Sequence, residues 1–176
     1  MPNIDLGTIL QDTVPFGYGD LVTRPTGRAV RSSVEEMLPH QDAGKTTVID
    51  FSAVRCLDIS CADEIVGKLL LQYGKGQYFM LSGVSEAHCE SIDLVLERHG
   101  MAVVARDRDG LLQLLGPVDA PVREAFGAVL QSDRSAASDV ADRLAVPMEA
   151  ALPLLDELLT LRLVTRDADQ FRALSA

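Results

Sequence analysis

Val48-Ile49-Asp50-Phe51-Ser52-Ala53-Val54 runs through Arg55-Cys56 into Leu57-Asp58-Ile59-Ser60-Cys61-Ala62-Asp63-Glu64. From Thr46 to Phe51 the chain is β-branched and apolar, the composition of a buried strand. Asp50 closes its most apolar stretch. A loop through Leu57-Asp58-Ile59-Ser60 follows, then a helix from Ala62 to Tyr73. That helix carries Ile65, Val66, Leu69, Leu70 and Tyr73 as its apolar positions. A strand that turns through a polar loop into an amphipathic helix is the building unit of α/β layers.

The flanks extend the pattern. Upstream, Ile4-Asp5-Leu6-Gly7-Thr8-Ile9-Leu10 and Leu21-Val22-Thr23 are expected strands, and Phe16-Gly17-Tyr18-Gly19-Asp20 between them is turn-rich. A helix is expected over Thr26 to Leu38, with Val30, Val34, Met37 and Leu38 on one face, ended by Pro39. Downstream come a strand at Tyr78 to Leu81, a helix from Glu86 to His99 and a strand at Ala102 to Ala105. Leu111 to Leu115 fits a strand or a helical turn. Strands alternating with helices predict parallel pairs joined by crossovers.

The pattern changes at Gly116-Pro117-Val118-Asp119-Ala120-Pro121. Two prolines and a glycine in six residues punctuate secondary structure. An α/β domain is therefore expected over 1–116 and a small, mainly α domain over 117–176. The second piece predicts three helices and a hairpin. Val122, Ala125, Phe126, Val129 and Leu130 mark the first helix. Ser135 is placed to cap the second, which turns Val140, Ala141 and Leu144 inward. Pro147 suits the first position of the third, with Met148, Ala151, Leu152, Leu155 and Leu159 inward and Pro153 as an interruption. Leu161 to Arg166 and Phe171 to Leu174 form the hairpin around Asp167-Ala168-Asp169-Gln170.

Composition removes several classes. The chain has 176 residues, 47% hydrophobic and 24% charged, which is neither a disordered tail nor a fibre. No run approaches a membrane span of about 20 apolar residues. The start Met1-Pro2-Asn3-Ile4-Asp5 has neither the basic end nor the apolar core of an export signal. Cys56, Cys61 and Cys89 are odd in number without CxxC spacing, so a reducing, cytoplasmic compartment is expected. Formal net charge is −10, which argues against non-specific attraction to nucleic acid. Arginine outnumbers lysine 13 to 3, the bias of a GC-rich bacterial coding sequence.

The passage from Val48 to Glu64 resembles the STAS family, the fold of anti-sigma factor antagonists. There an apolar strand ending in Asp-Leu/Phe-Ser precedes an Asp-Ser-Ser-Gly loop at a helix start. The longer stretch from Leu21-Val22-Thr23-Arg24-Pro25-Thr26-Gly27-Arg28 through Asp50-Phe51-Ser52 to Ser60-Cys61-Ala62-Asp63-Glu64 is more similar to a STAS-like family of unassigned function. The resemblance spans residues 1–115. It implies a mixed sheet with helices and a protein partner, a kinase-like ATPase or an anti-sigma-type regulator. It also implies that Asp58, Ile59, Ser60, Cys61, Asp63 and Glu64 form the partner-binding or regulatory surface. Aligned on Asp58, Ile59 stands at the usual phosphoacceptor position, Ser60 matches the second serine and Cys61 replaces the glycine.

The same residues carry plainer readings. Ser60 suits a helix cap, and Asp63 and Glu64 in a first turn favour the helix dipole. Asp50, Asp58, Asp63 and Glu64 are also candidates for an acid/base or metal cluster, hence for an enzyme. No histidine neighbours them in sequence and no HExxH or DxDxDG pattern occurs. His40 follows a helix end, while His88, Cys89 and His99 share one helix. Cys56 and Cys61 read as small, mostly buried thiols. Arg24, Arg28 and Arg31 share a helix-start face, either solvated or contacting an anion or acidic partner.

Ser138-Asp139-Val140-Ala141-Asp142-Arg143-Leu144-Ala145-Val146-Pro147, then Leu154-Leu155-Asp156-Glu157-Leu158-Leu159 and Leu163-Val164-Thr165-Arg166, resemble a winged helix-turn-helix domain. Its third helix would enter the major groove, yet Met148 to Glu157 offers no basic or amide side chain. Residues 117–176 hold six Arg or Lys against ten Asp or Glu. Arg166 and Arg172 are the candidate DNA contacts. Docking or dimerisation is the favoured role, and DNA binding the alternative. The whole is expected to be a non-enzymatic bacterial regulatory protein, acting by protein contact, with no cofactor and no metal.

Overall fold

The computed structural model describes residues 2–13, 19–38 and 45–174. Pro39, His40 and the Phe16-Gly17-Tyr18 part of the expected turn lie outside the described residues. The chain divides into two compact units, one ending at Pro117 and the other beginning at Val118.

In the first unit, β1 (Asn3–Asp5) is followed at once by α1 (Leu6–Thr13). The sequence pattern predicts a strand through Leu10 instead. The chain turns because the Asp5 carboxylate accepts hydrogen bonds from the Gly7 amide (2.8 Å) and the Thr8 hydroxyl (2.9 Å), capping a helix. Leu6, Ile9 and Leu10 then fall at helical spacing and are all buried. β2 (Asp20–Leu21) leads to α2 (Arg24–Met37), which starts ahead of Thr26 because Pro25 suits a first turn.

β3 (Thr46–Asp50) is the expected central strand. β4 (Cys56–Leu57) pairs in parallel with β2. A continuous helix then covers 59–73: α3 (Ile59–Ala62), a π-helical segment (Asp63–Gly67) and α4 (Lys68–Tyr73). It starts three residues before Ala62, since Asp58 rather than Ser60 is the cap. β5 (Tyr78–Val84), α5 (Glu86–His99), β6 (Val103–Asp107) and β7 (Leu112–Leu115) complete the unit. Leu112–Leu115 is thus a strand.

The main sheet runs β1-β3-β5-β6-β7, parallel except for the last pair. The α/β class therefore stands, with a mixed parallel and antiparallel sheet and several helices. Ile49, Leu81 and Ala105 lie in register on the face that joins the core with Phe51, Ile65, Leu69, Ile92 and Leu96. Each such large side chain contributes about 1.5–3 kcal/mol on burial. Alternation turns Val48, Met80, Val104 and Leu114, also in register, to the opposite face.

The second unit comprises α6 (Ala120–Val129), β8 (Ser135–Ala136), α7 (Ala137–Leu144), α8 (Met148–Thr160), β9 (Val164–Asp167) and β10 (Gln170–Ala173). Its three strands run β8-β10-β9, antiparallel. β8 was not foreseen. Ser135 is buried in it, and its hydroxyl accepts from Arg143 Nη1 at 2.7 Å instead of capping α7. The side chain that reaches back there belongs to Asp139, accepting from the Ala136 amide at 2.8 Å. Pro147 precedes α8 rather than opening it, and α8 passes through Pro153 without a break. Ala151, Leu155 and Leu158 are its buried positions, while Met148 and Leu152, expected inward, are exposed.

Among the described residues, no helix is long and apolar enough to cross a membrane.

Candidate functional site

Asp58 organises the turn. Its Oδ1 accepts from the Cys61 amide (2.7 Å) and the Ser60 hydroxyl (2.8 Å), and its Oδ2 accepts from the Thr23 amide (2.9 Å). The Asp58 amide donates in turn to the Leu21 carbonyl at 2.9 Å. Thr23 sits at φ 75, a conformation unfavourable for a β-branched residue and here locked from both sides. Burial would raise the Asp58 carboxyl; the Thr23 and Cys61 amides and the Ser60 hydroxyl outweigh it and hold it below the usual range.

Cys61 is fully buried, and its thiol donates to the Thr23 carbonyl at 3.1 Å. Burial, then the neighbouring Asp58 charge, pushes that thiol up to about 12, so it is no nucleophile at neutral pH. Ile59 is 42% exposed, and Ser60 is half-buried beside it. The turn thus presents an apolar side chain and a hydroxyl at the start of a helix.

One turn further, Asp63 and Glu64 meet a ring of cations. Arg24 Nη1 bridges both, at 2.7 Å from Asp63 and 2.9 Å from Glu64. Lys68 donates to Glu64 from the next turn. Arg31 Nε lies 3.4 Å from Glu64 Oε2, close in charge but not aligned as a hydrogen bond, and its Nη1 pairs with Glu35 at 2.9 Å. His99 Nε2 lies 3.3 Å from Asp63 Oδ1. Burial pushes both carboxyls up. Arg24 and His99 for Asp63, and Lys68, Arg24 and Arg31 for Glu64, hold them below the ordinary range instead. The anions that Arg24 and Arg31 meet in the structure belong to this chain. Arg28 is exposed and joins neither acid.

The four carboxylates weighed as a catalytic or metal cluster each bond within the chain and do not converge on one point. Asp50 Oδ1 accepts from the Ser52 amide (2.8 Å) and hydroxyl (2.6 Å), Asp58 caps the helix, and Asp63 and Glu64 are ion-paired. Among the described residues, no group of three or more His, Cys, Asp or Glu could hold a metal ion. Cys56 is exposed rather than buried. His88 is 1% exposed, tilted against the Phe51 ring at 6.0 Å, with its Nδ1 accepting from the Ser85 amide. Burial lowers its pKa; the Arg55 carbonyl opposes this by less, and the Arg108 charge adds a smaller lowering.

In the second unit, the exposed face of α8 carries Met148, Glu149, Leu152 and Asp156 without a cation. Arg166 is tied to the Ala168 carbonyl (2.8 Å) and Asp169 (3.1 Å) and lies over the Phe171 ring. Arg172 is half-buried.

Sequence reading missed Thr23, Lys68 and His99 as members of the site. Lys68 was legible, standing four residues after Glu64 on a helix. His99 and Thr23 act across 36 and 35 residues and leave no local signal. Ser82, Arg106 and Arg108, which share a cleft with Asp50, were missed as well.

No protein-family model matches the chain, and no curated protein matches it either.

Proposed function

We propose that this chain is a non-enzymatic regulatory protein acting by protein contact. Its first unit is a STAS-like module whose 57–64 turn is read by a kinase-like ATPase or an anti-sigma-type regulator. Its second unit is a winged-helix-like docking or dimerisation module.

One observation carries the reading. Every ionisable group of the turn is spoken for inside the chain, while an apolar side chain, Ile59, stands exposed at its tip. A carboxylate serving as general base needs a free lone pair aimed at a substrate, and a nucleophile needs an accessible, ionisable atom. Asp58 and Cys61 supply neither, and the Glu64 oxygen that lacks a hydrogen bond is fully buried beside Arg31. An apolar residue ringed by satisfied polar groups is instead the anatomy of a contact patch. Val22, also exposed, lies between Leu21 and Thr23, which both bond Asp58, and adds to it. In the second unit the apolar and acidic face of α8 suits a protein better than a phosphate backbone.

Affinity capture with the wild-type chain and with Ile59→Asp, in cells of its own source, tests this. The wild type should retain a discrete partner that Ile59→Asp loses while keeping its circular dichroism and melting temperature. Retention by both, or by neither, would overturn the reading.

A further inference from the structure

The parallel strands β3, β5 and β6 end along one edge of the sheet, the edge where open α/β sheets take their ligands. A cleft of about 610 Å³ opens there, wholly within the first unit. Small-molecule sites span about 300–1,000 Å³. Asp50 comes from the end of β3, Ser52 from the turn after it, Ser82 from β5, Arg106 and Asp107 from β6, and Arg108 from the turn that follows. Gly83 is required in the wall: it has φ 67, and a Cβ there would collide with Ser52.

The cleft holds unmet hydrogen-bonding groups of both kinds. Arg106 is half-buried, and among the described residues its guanidinium has no hydrogen bond or ion pair. Ser82 is 6% exposed, and its hydroxyl has no partner among the described residues. Arg108 directs one nitrogen to the Val54 carbonyl at 3.3 Å. On the acidic side, Asp50 Oδ1 takes the two Ser52 bonds, and Asp107 Oδ1 accepts from the Asp109 (2.9 Å) and Leu111 (2.8 Å) amides. The other oxygen of each carboxylate has no partner among the described residues.

Two guanidinia call for an oxyanion, and a half-buried one without an acceptor gains most from it. Two carboxylates repel a bare dianion unless the same ligand brings donors to them. A molecule with a phosphate at one end and hydroxyls at the other meets both demands. We infer that this cleft binds a phosphorylated sugar or polyol: the phosphate meets Arg106, Arg108 and Ser82, and the hydroxyls donate to Asp50 and Asp107. The site stands whether or not the 57–64 turn is read by a protein.

Titration calorimetry and amide chemical shifts on the full chain test it, with ribose 5-phosphate, inorganic phosphate, ribose and gluconate as probes. Ribose 5-phosphate should bind about tenfold or more tighter than any other probe, shifting the amides of Gly83 and of Gly110, which also lines the cleft. Arg106→Ala should weaken it about tenfold or more, Arg106→Lys less, and Ser82→Ala measurably. Asp50→Asn should weaken ribose 5-phosphate without weakening inorganic phosphate. Arg98→Ala, on the exposed side of α5, should change nothing. No saturable binding by the folded wild type, equal affinity for inorganic phosphate or gluconate, or binding indifferent to both Arg106 variants would overturn the assignment.

Discussion

Glu64 has no exposed side-chain surface, and it stays charged because Arg24, Lys68 and Arg31 surround it. Glu64→Gln keeps the volume but leaves three cations facing a neutral amide. Breaking a buried pair is costly, but these cations keep part of their contact with water, so the loss should be about 2 kcal/mol. It is read as a lower urea midpoint at unchanged slope. Arg24→Ala, at the more exposed partner, should cost less. Acid acts here in two steps. His88 has a lowered pKa, so below about pH 6.5 the unfolded chain takes up its proton first, and stability falls from there down to the folded value. Asp58, Asp63 and Glu64 are also lowered, so their contribution is present above about pH 4 and is lost as the pH falls through their folded values. His88→Gln should remove the upper step and leave the lower, as urea titrations at about pH 7.5 and about pH 5.5 would reveal.

At the scale of elements, α2 packs tightly against the start of the 59–73 helix beside the site. A Cβ on Gly27 would stand 2.9 Å from Cys61 Cα and 3.2 Å from Glu64 Cβ. Gly27→Ala should therefore push the two helices apart and cost about 1–3 kcal/mol, measured by thermal unfolding. In α8, Pro153 withholds one backbone donor at an exposed position. Pro153→Ala should raise the melting temperature, a gain of about 1–3 kcal/mol less the entropy returned to the unfolded chain. These elements also show what sequence discloses. Helix α5 was legible to the residue because Ser85 caps it and Gly100, at φ 61, stops it. Helix α1 was not, because Asp5 lies inside an alternating apolar run and its capping role appears only once Gly7 and Thr8 turn toward it. The π-helical segment leaves no periodicity of its own over five residues. The Asp63 and Glu64 network joins residues 39 and 40 apart, which no local pattern encodes.

Across the whole molecule, net charge of −10 opposes a polyanion, and the face of α8 adds none of the cations that groove binding needs. Gel shifts with genomic duplex fragments at low salt should show no complex, and Arg166→Ala and Arg172→Ala should leave that result unchanged. Under the proposed function, the turn after β4, with its paired charges and exposed Ile59, is read as a surface for contact rather than chemistry. A photo-crosslinking residue at position 59, compared with the same residue at exposed Glu97 on α5, tests this most directly in cells. The account predicts a discrete protein adduct from position 59 alone. Adducts of equal yield from both positions, or none from either, would contradict it.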